Sequence, residues 1–257
     1  MTNIHPSSVI DPSAILHEDV EVGPFCHVGP QVEIGRGTRL ISHVAICGPT
    51  RIGEENVFYP YCSIGQRSQD LKYSVEPTYL EIGNNNSFRE FCTVNRGTLP
   101  GTKTSVGSHG NFLAYSHIAH DCTVGDHVIF SNNGTLAGHV IVEDHVVISG
   151  LSGVHQFCRL GRHSIVGGCT KIVQDVPPYM IADGNPAEVR GVNHVGLERR
   201  GFPQESTRAL REAYRLLYRS NMNVKQACEK ISEELAGPDV IGHLLDFIAA
   251  SQRGIVR

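Results

Sequence analysis

Residues 118–142 read IAHDCTVGDHVIFSNNGTLAGHVIV, and every sixth position in them, Ile118, Val124, Phe130, Leu136 and Val142, is large and apolar. The same step extends both ways. It runs unbroken from Val106 to Ile172, fills the N-terminal stretch from Ile4 to Ile64, and returns in phase at Ile82, Phe88 and Val94. Only Asp70, Glu76 and Pro100 break the series, so 26 of 29 positions conform. A chain that is 40% hydrophobic would place about 12 there by chance.

Two places before these residues the side chain is usually small or β-branched, as at Ser8, Ala14, Val20, Val44, Ser116, Val128, Val140 and Thr170. Five cysteines, Cys26, Cys62, Cys92, Cys122 and Cys158, share that column. They read as small inward side chains rather than disulfides or zinc ligands, because no CxxC pair occurs among the eight cysteines. A period of six with two inward positions fits neither a 3.6-residue helix nor a long alternating strand. It fits short strands separated by turns, three hexads to a triangular coil, each strand paired with others about 4.8 Å above and below.

The aliphatic-then-Gly step, as in Val124-Gly125 and Leu160-Gly161, resembles the hexapeptide-repeat acyltransferases, whose coils are left-handed. Spacing alone does not give handedness, since parallel crossovers are normally right-handed. The predicted fold is mainly β: a left-handed parallel β-helix over residues 1–189, followed by a small C-terminal α-helical domain over 190–257. Two segments leave the repeat, 66–81 with QDLKYSVEPT and 95–105 with RGTLPGTKT. Both are expected as loops expelled from the prism, and the first is the better candidate for building a site.

Beyond Ile172 a Pro- and Gly-rich exit leads to a different period. Leu210, Ala213, Tyr214 and Leu217 stand at helical spacing, as do Val224, Ala227, Cys228 and Ile231, and again Ile241, Leu244, Leu245 and Ile248. Three helices are predicted, with Asn223 and Gln226 capping the second. Their simplest role is to cover the open end of the solenoid, which would otherwise expose strand edges.

The net charge of −4 argues against bulk nucleic acid as a partner. No apolar run approaches the length of a membrane span, and the start MTNIHPSSVIDPSA lacks a signal-peptide pattern. A cytoplasmic protein without membrane insertion is expected.

Residues three hexads apart should lie one above another in the unbroken stretch. His120, Gly138 and Gln156 then form one column, with His139 and His155 to either side of it and Asp121 in the column of His139. Histidine is the commonest general base near neutral pH, with a reference pKa of about 6.5. A backbone N–H at Gly138 could hold a developing oxyanion. Histidine clusters also bind zinc, as in the γ-class carbonic anhydrases, but the spacing His117-Ile118-Ala119-His120 is narrower than such sites use, and no metal is expected.

The segments QDLKYSVEPT (69–78), HIAHDCTVG (117–125), TLAGHV (135–140), VHQFC (154–158), GGC (167–169), QDVPPYMIADGNPA (174–187), GVN (191–193) and GLERRGF (196–202), in that order, resemble the UDP-N-acetylglucosamine 3-O-acyltransferases of lipid A synthesis. The resemblance implies that His120 deprotonates the sugar 3-hydroxyl as it attacks the thioester of a (R)-3-hydroxyacyl carrier protein, that the Gly138 amide steadies the oxyanion, and that Asp121 orients the base. It implies substrate contacts from His117, His139, His155 and Gln156, with Asp70 and Lys72 from the first loop. Asn193, Arg199 and Arg200 would reach the nucleotide from a neighbouring subunit of a homotrimer, and Val195 stands where other members carry an acid. Gly168 falls where the family sets acyl length, and no cofactor is implied. Arg208, Arg211, Arg215 and Arg219 would be contacts for the acidic acyl carrier protein. Strand alternation would point His120 and Asp121 to opposite faces.

The alternatives are an acetyl-CoA-dependent hexapeptide enzyme, an enzyme for a 3-amino sugar, the pathway's later N-acyltransferase, and a purely structural β-helix. The N-acyltransferase carries a separate N-terminal domain, and here repeats begin at Ile4. A structural solenoid would favour uniform outward rows, which the histidine cluster and the loops contradict.

Overall fold

The computed structural model describes residues 2–74 and 76–257. Val75, within the first expected loop, and Met1 lie outside the described residues. Among the described residues the repeats form three parallel sheets of 9, 9 and 8 strands, most of them two residues long, such as Asn3–Ile4, Val9–Ile10 and Ile15–Leu16, and a terminal hairpin extends the first sheet to 11. The coils wind left-handed. Inside the prism Phe58, Phe88, Phe112 and Phe130 stack at successive centroid distances of 4.9, 4.6 and 5.2 Å. Each large apolar side chain buried in this way contributes about 1.5–3 kcal/mol. The five inward cysteines are all buried. Burial pushes the Cys122 thiol up to about 12 and the Cys158 thiol to about 11, so both act as neutral packing groups.

The two interruptions explain the three misses in the repeat. Ordinary partners stand three hexads apart, as Thr123 and Ile141 do, but Leu80 pairs with Thr50, five hexads back, and with Thr104, four hexads on. The surplus is two whole hexads in the first loop and one in the second. Asp70, Glu76 and Pro100 are the inward positions of the three hexads that left the prism, and the phase returns intact because only whole hexads were expelled.

At most corners one residue turns with positive φ, among them Asp121 at 59°, His139 at 61° and His145 at 61°. This conformation sends consecutive side chains in directions that strand alternation does not describe.

After the last coil, Met180–Asp183 and Glu188–Val192 form an antiparallel hairpin. Four helices follow: α1 (His194–Arg199), α2 (Gln204–Tyr218), α3 (Val224–Glu234) and α4 (Asp239–Ala249). Three were expected. The extra one, α1, has six residues and buries only Leu197, so it leaves no periodic stripe; its start is fixed by the Asn193 side chain, which accepts from the Gly196 N–H at 3.0 Å. The expected cap of α3 is present as a reciprocal pair between Asn223 and Gln226.

The helices and the chain end close over the last coils. Buried Asp175 accepts from the Arg159 N–H at 2.8 Å and from Ser251 Oγ at 2.7 Å, while its backbone pairs with Gly254 and Val256. The Arg159 guanidinium lies 4.4 Å over the Phe247 ring. Among the described residues no helix is long and apolar enough to cross a membrane.

Candidate active site

The second sheet carries His117, Thr135, Gly153 and Lys171 in direct register, each one coil beyond the last. At the adjoining corner His120, Gly138 and Gln156 follow the same step. A groove of about 640 Å³ runs between this face and the first loop, and these two columns line it with Asp70 and His155.

Gly153 is the floor of the groove. A Cβ built there meets no atom within 4 Å, so the missing side chain is not forced by packing, and the space above it stays open. Gly138 is the opposite case, since a Cβ there would overlap the His120 ring.

His120 is 9% exposed, less than expected for an outward residue on a bare face, because the first loop folds over it. Its Nδ1 lies 2.8 Å from Asp121 Oδ2. The contact corrects the expectation from strand alternation: Asp121 is a positive-φ corner residue, which brings its carboxylate back beside its neighbour's ring. On the other side Asp70 Oδ2 stands 3.9 Å from Nε2. An imidazole whose Nδ1–H donates to a carboxylate presents Nε2 as the basic atom.

Asp121 is itself braced. Its N–H donates to Thr104 Oγ1 at 2.8 Å, and Oδ1 accepts from the Thr98 N–H at 3.3 Å. Burial pushes its pKa up, but the hydrogen bonds from Thr102, His120 and Thr98 prevail and hold the carboxyl below its ordinary value. Thr98 and Thr102 belong to the second interruption, so that segment supports the site from beneath. It also anchors the first loop: buried Arg96 donates to the Gly65 carbonyl at 2.8 Å and pairs with Glu76, and Ser68 and Thr98 share a 2.7 Å hydroxyl bond. No sequence signal singled out these braces, because their hydrogen bonds cross residue separations of 17 to 31.

His139 places Nε2 3.8 Å from Asp121 Oδ2, meets the His120 ring edge-on at 5.2 Å and stacks on Phe157 at 4.7 Å. His117 Nδ1 bonds to Thr93 Oγ1 at 2.7 Å, and burial, then His120, lowers its pKa. His155 and Gln156 are exposed at the groove's rim. Asp70 closes a short turn by accepting the Lys72 N–H at 2.8 Å, whereas the Lys72 side chain is exposed and does not line the groove. Lys171 does line it and was missed, although stepping one coil on from Gly153 finds it.

Gly168 lies outside the groove, on the corner before Lys171. Asn193, Arg199 and Arg200 lie beyond the hairpin, and exposed Val195 is on α1. The structure therefore divides the expected residues into those at the groove and a separate group around α1. The Gly138 N–H has no acceptor among the described residues. His120, Asp121 and His139 could each offer one donor atom to a metal within 4.8 Å of the others, but His120 and Asp121 already share a short hydrogen bond.

Residues 175–256 match the family model described as UDP-N-acetylglucosamine O-acyltransferase, domain 2. Over 262 aligned residues and the full length of both proteins, the chain is 47% identical to an acyl-[acyl-carrier-protein]–UDP-N-acetylglucosamine O-acyltransferase of Verminephrobacter eiseniae. Among solved structures it is similar to LpxA from Acinetobacter baumannii, at 47% identity, 99% coverage of both chains and a TM-score of 0.95. The UDP-N-acetylglucosamine O-acyltransferase of Moraxella catarrhalis matches at 44% identity with the same coverage and TM-score.

Proposed function

The chain belongs to the acyl-[acyl-carrier-protein]–UDP-N-acetylglucosamine O-acyltransferase family, and from that premise we propose how its groove carries out the transfer. The enzyme moves an acyl chain from acyl carrier protein to UDP-N-acetylglucosamine in lipid A biosynthesis. The acyl group is a (R)-3-hydroxyacyl chain and the acceptor is the sugar 3-hydroxyl. His120 Nε2 takes the hydroxyl proton while the oxygen attacks the thioester carbonyl. The new C–O bond gives a tetrahedral oxyanion, which accepts from the Gly138 N–H. As that intermediate collapses the C–S bond breaks, and the protonated imidazole returns its proton to the departing thiolate of the carrier.

The observation that carries this reading is the placement of the His120 ring. It sits against Gly138 in the groove, with Asp121 fixing Nδ1 and Asp70 within reach of the atom that would meet the hydroxyl. Asp121 favours the Nδ1–H tautomer and stabilises the imidazolium once formed. Asp70, Lys72, His117, His139, His155 and Gln156 bind the sugar nucleotide or the acyl chain. Asn193, Arg199 and Arg200 reach the nucleotide of a neighbouring subunit in a homotrimer, where paired guanidinium groups suit a diphosphate. Arginines of α2 meet the acidic carrier protein in the cytoplasm. Arg208 and Arg211 are the better candidates, because Arg215 already pairs with Glu212 and Arg219 lies over Tyr214.

The test is a panel of carrier-linked hydroxyacyl chains and acetyl-CoA, each offered with UDP-N-acetylglucosamine and with its 3-amino counterpart, alongside light scattering for the assembly. Transfer from hydroxyacyl carrier to the 3-hydroxyl by a trimer is expected; transfer from acetyl-CoA alone would overturn the reading. Gly168→Met, whose Cβ would meet only the Gly150 carbonyl at 3.7 Å, should shift the preference toward shorter donors.

A further inference from the structure

One corner of the prism carries a histidine in four successive coils. The rings of His109, His127, His145 and His163 stack at 4.8, 4.7 and 4.6 Å, with interplanar angles of 7°, 7° and 13°. The groove does not use them. The ladder grades from exposed His109 and His127, through half-buried His145, to buried His163. At its buried end the segment that follows α1 is docked twice. The Phe202 ring meets His163 edge-on at 5.0 Å, and Arg200 Nε donates to His145 Nδ1 at 3.3 Å. Gly201, at φ 71°, makes the turn between those two anchors, a backbone conformation that glycine adopts without steric cost.

A guanidinium has no acceptor, so His145 Nδ1 must be unprotonated to receive Arg200. Burial, and then the Arg200 charge, lower the pKa of His145 and favour that neutral ring. The stack between His127 and His163 fixes the plane of the imidazole and therefore the direction of its lone pair. The remaining guanidinium N–H groups of Arg200 make no hydrogen bond among the described residues.

We infer that His145 is a positioning residue for the sugar nucleotide: it holds Arg200 by Nε and leaves both terminal NH₂ groups preset for the diphosphate. This rests on the reading of Arg200 as a nucleotide contact. A free arginine side chain loses rotamer freedom on gripping an anion, and an arm already fixed loses less. The effect belongs to binding, not to the chemical step at His120.

Two substitutions separate the ring from its acceptor atom. His145→Phe keeps the stack but removes the acceptor. His145→Asn removes the ring but keeps an acceptor one bond from Cγ, in a residue type that tolerates positive φ. His145→Phe should raise the KM for UDP-N-acetylglucosamine about fivefold with kcat and the KM for acyl carrier within about twofold, and His145→Asn should stay within about twofold of the parent throughout. Arg200→Ala should raise the same KM at least as much, and adding His145→Phe to it should change nothing further. If Arg200→Ala raises KM while both His145 variants match the parent, or if both variants raise it equally, His145 does not act through its acceptor and the inference falls. If Arg200→Ala leaves KM unchanged, the nucleotide reading of Arg200 fails, and the inference falls with it. Melting temperatures of all variants identify any that fail to fold, and the Arg200→Ala arm stands independently of them.

Discussion

The imidazole of His120 lies against the Cα of Gly138 one coil away, so close that a Cβ at position 138 would run into ring atoms Cε1 and Nε2. The glycine is thus needed by the His120 ring and not by the backbone, whose φ there is not in the left-handed region. Gly138→Ala should fold, since the ring can swing toward the groove, but with its basic atom displaced from the hydroxyl and the amide. A loss of about 100-fold in kcat is expected, with the thermal unfolding midpoint almost unchanged. Retained turnover would separate the ring's position from the reaction.

In the proposed mechanism Asp121 sets the tautomer and orientation of His120, and Asn tolerates the φ of 59° found there. Asp121→Asn should keep the fold and both KM values while kcat drops at least about 10-fold, up to the roughly 10⁴-fold that the wrong tautomer of a histidine base can cost. Steady-state kinetics with both substrates varied decides the matter. A rise in KM at constant kcat would make Asp121 a binding group instead.

Gly153 has open space above it, in a strand where a β-branched residue is ordinarily preferred. Gly153→Val should therefore leave the unfolding midpoint equal or higher, by up to about 1 kcal/mol in stability, while blocking the groove and cutting kcat/KM more than about tenfold. Parallel melting and activity measurements read both effects. Full activity would place the substrate elsewhere.

His163 is 8% exposed, its Nδ1 has no partner among the described residues, and burial followed by the charges of His145 and Arg200 lowers its pKa to about 4. The unfolded chain binds that proton near pH 6.5, so between those values the unfolded state holds more protons than the folded one. The stability contributed by the neutral ring is complete above about pH 6.5 and is lost as the pH falls toward 4, at about 1.4 kcal/mol per unit. Denaturant melts at pH 7 and 5 should show this loss, and His163→Asn, which tolerates φ 57°, should show a smaller one. Equal losses in both proteins would assign the acid sensitivity to other groups.

The repeat made the solenoid legible because burial in a three-sided coil demands a side chain at every sixth residue, and no helix or long strand shares that period. The same arithmetic brought His120, Gly138 and Gln156 together, and applied to the column of the expected His117 it would also have found Lys171 three coils on. What stayed hidden depends on backbone conformation or on contacts between distant segments. The Asp121 carboxylate returns to His120 only because residue 121 turns a corner in the left-handed region. Thr98 and Arg96 brace the site from a segment that reads, in sequence, as a polar insertion. Helix α1 is too short for any periodic stripe, and its docking on the histidine ladder follows from Phe202 and Arg200, which carry no periodic signal.

The most direct test of the central claim is transfer by His120→Ala, measured over pH 5 to 9 beside the parent and accompanied by its melting curve. An intact fold, a rate at least about 1,000-fold lower, and loss of the acidic limb of the pH–rate profile are expected when the general base is removed. A well-folded variant that transfers acyl chains at near the parent rate, with the same profile, would contradict the mechanism.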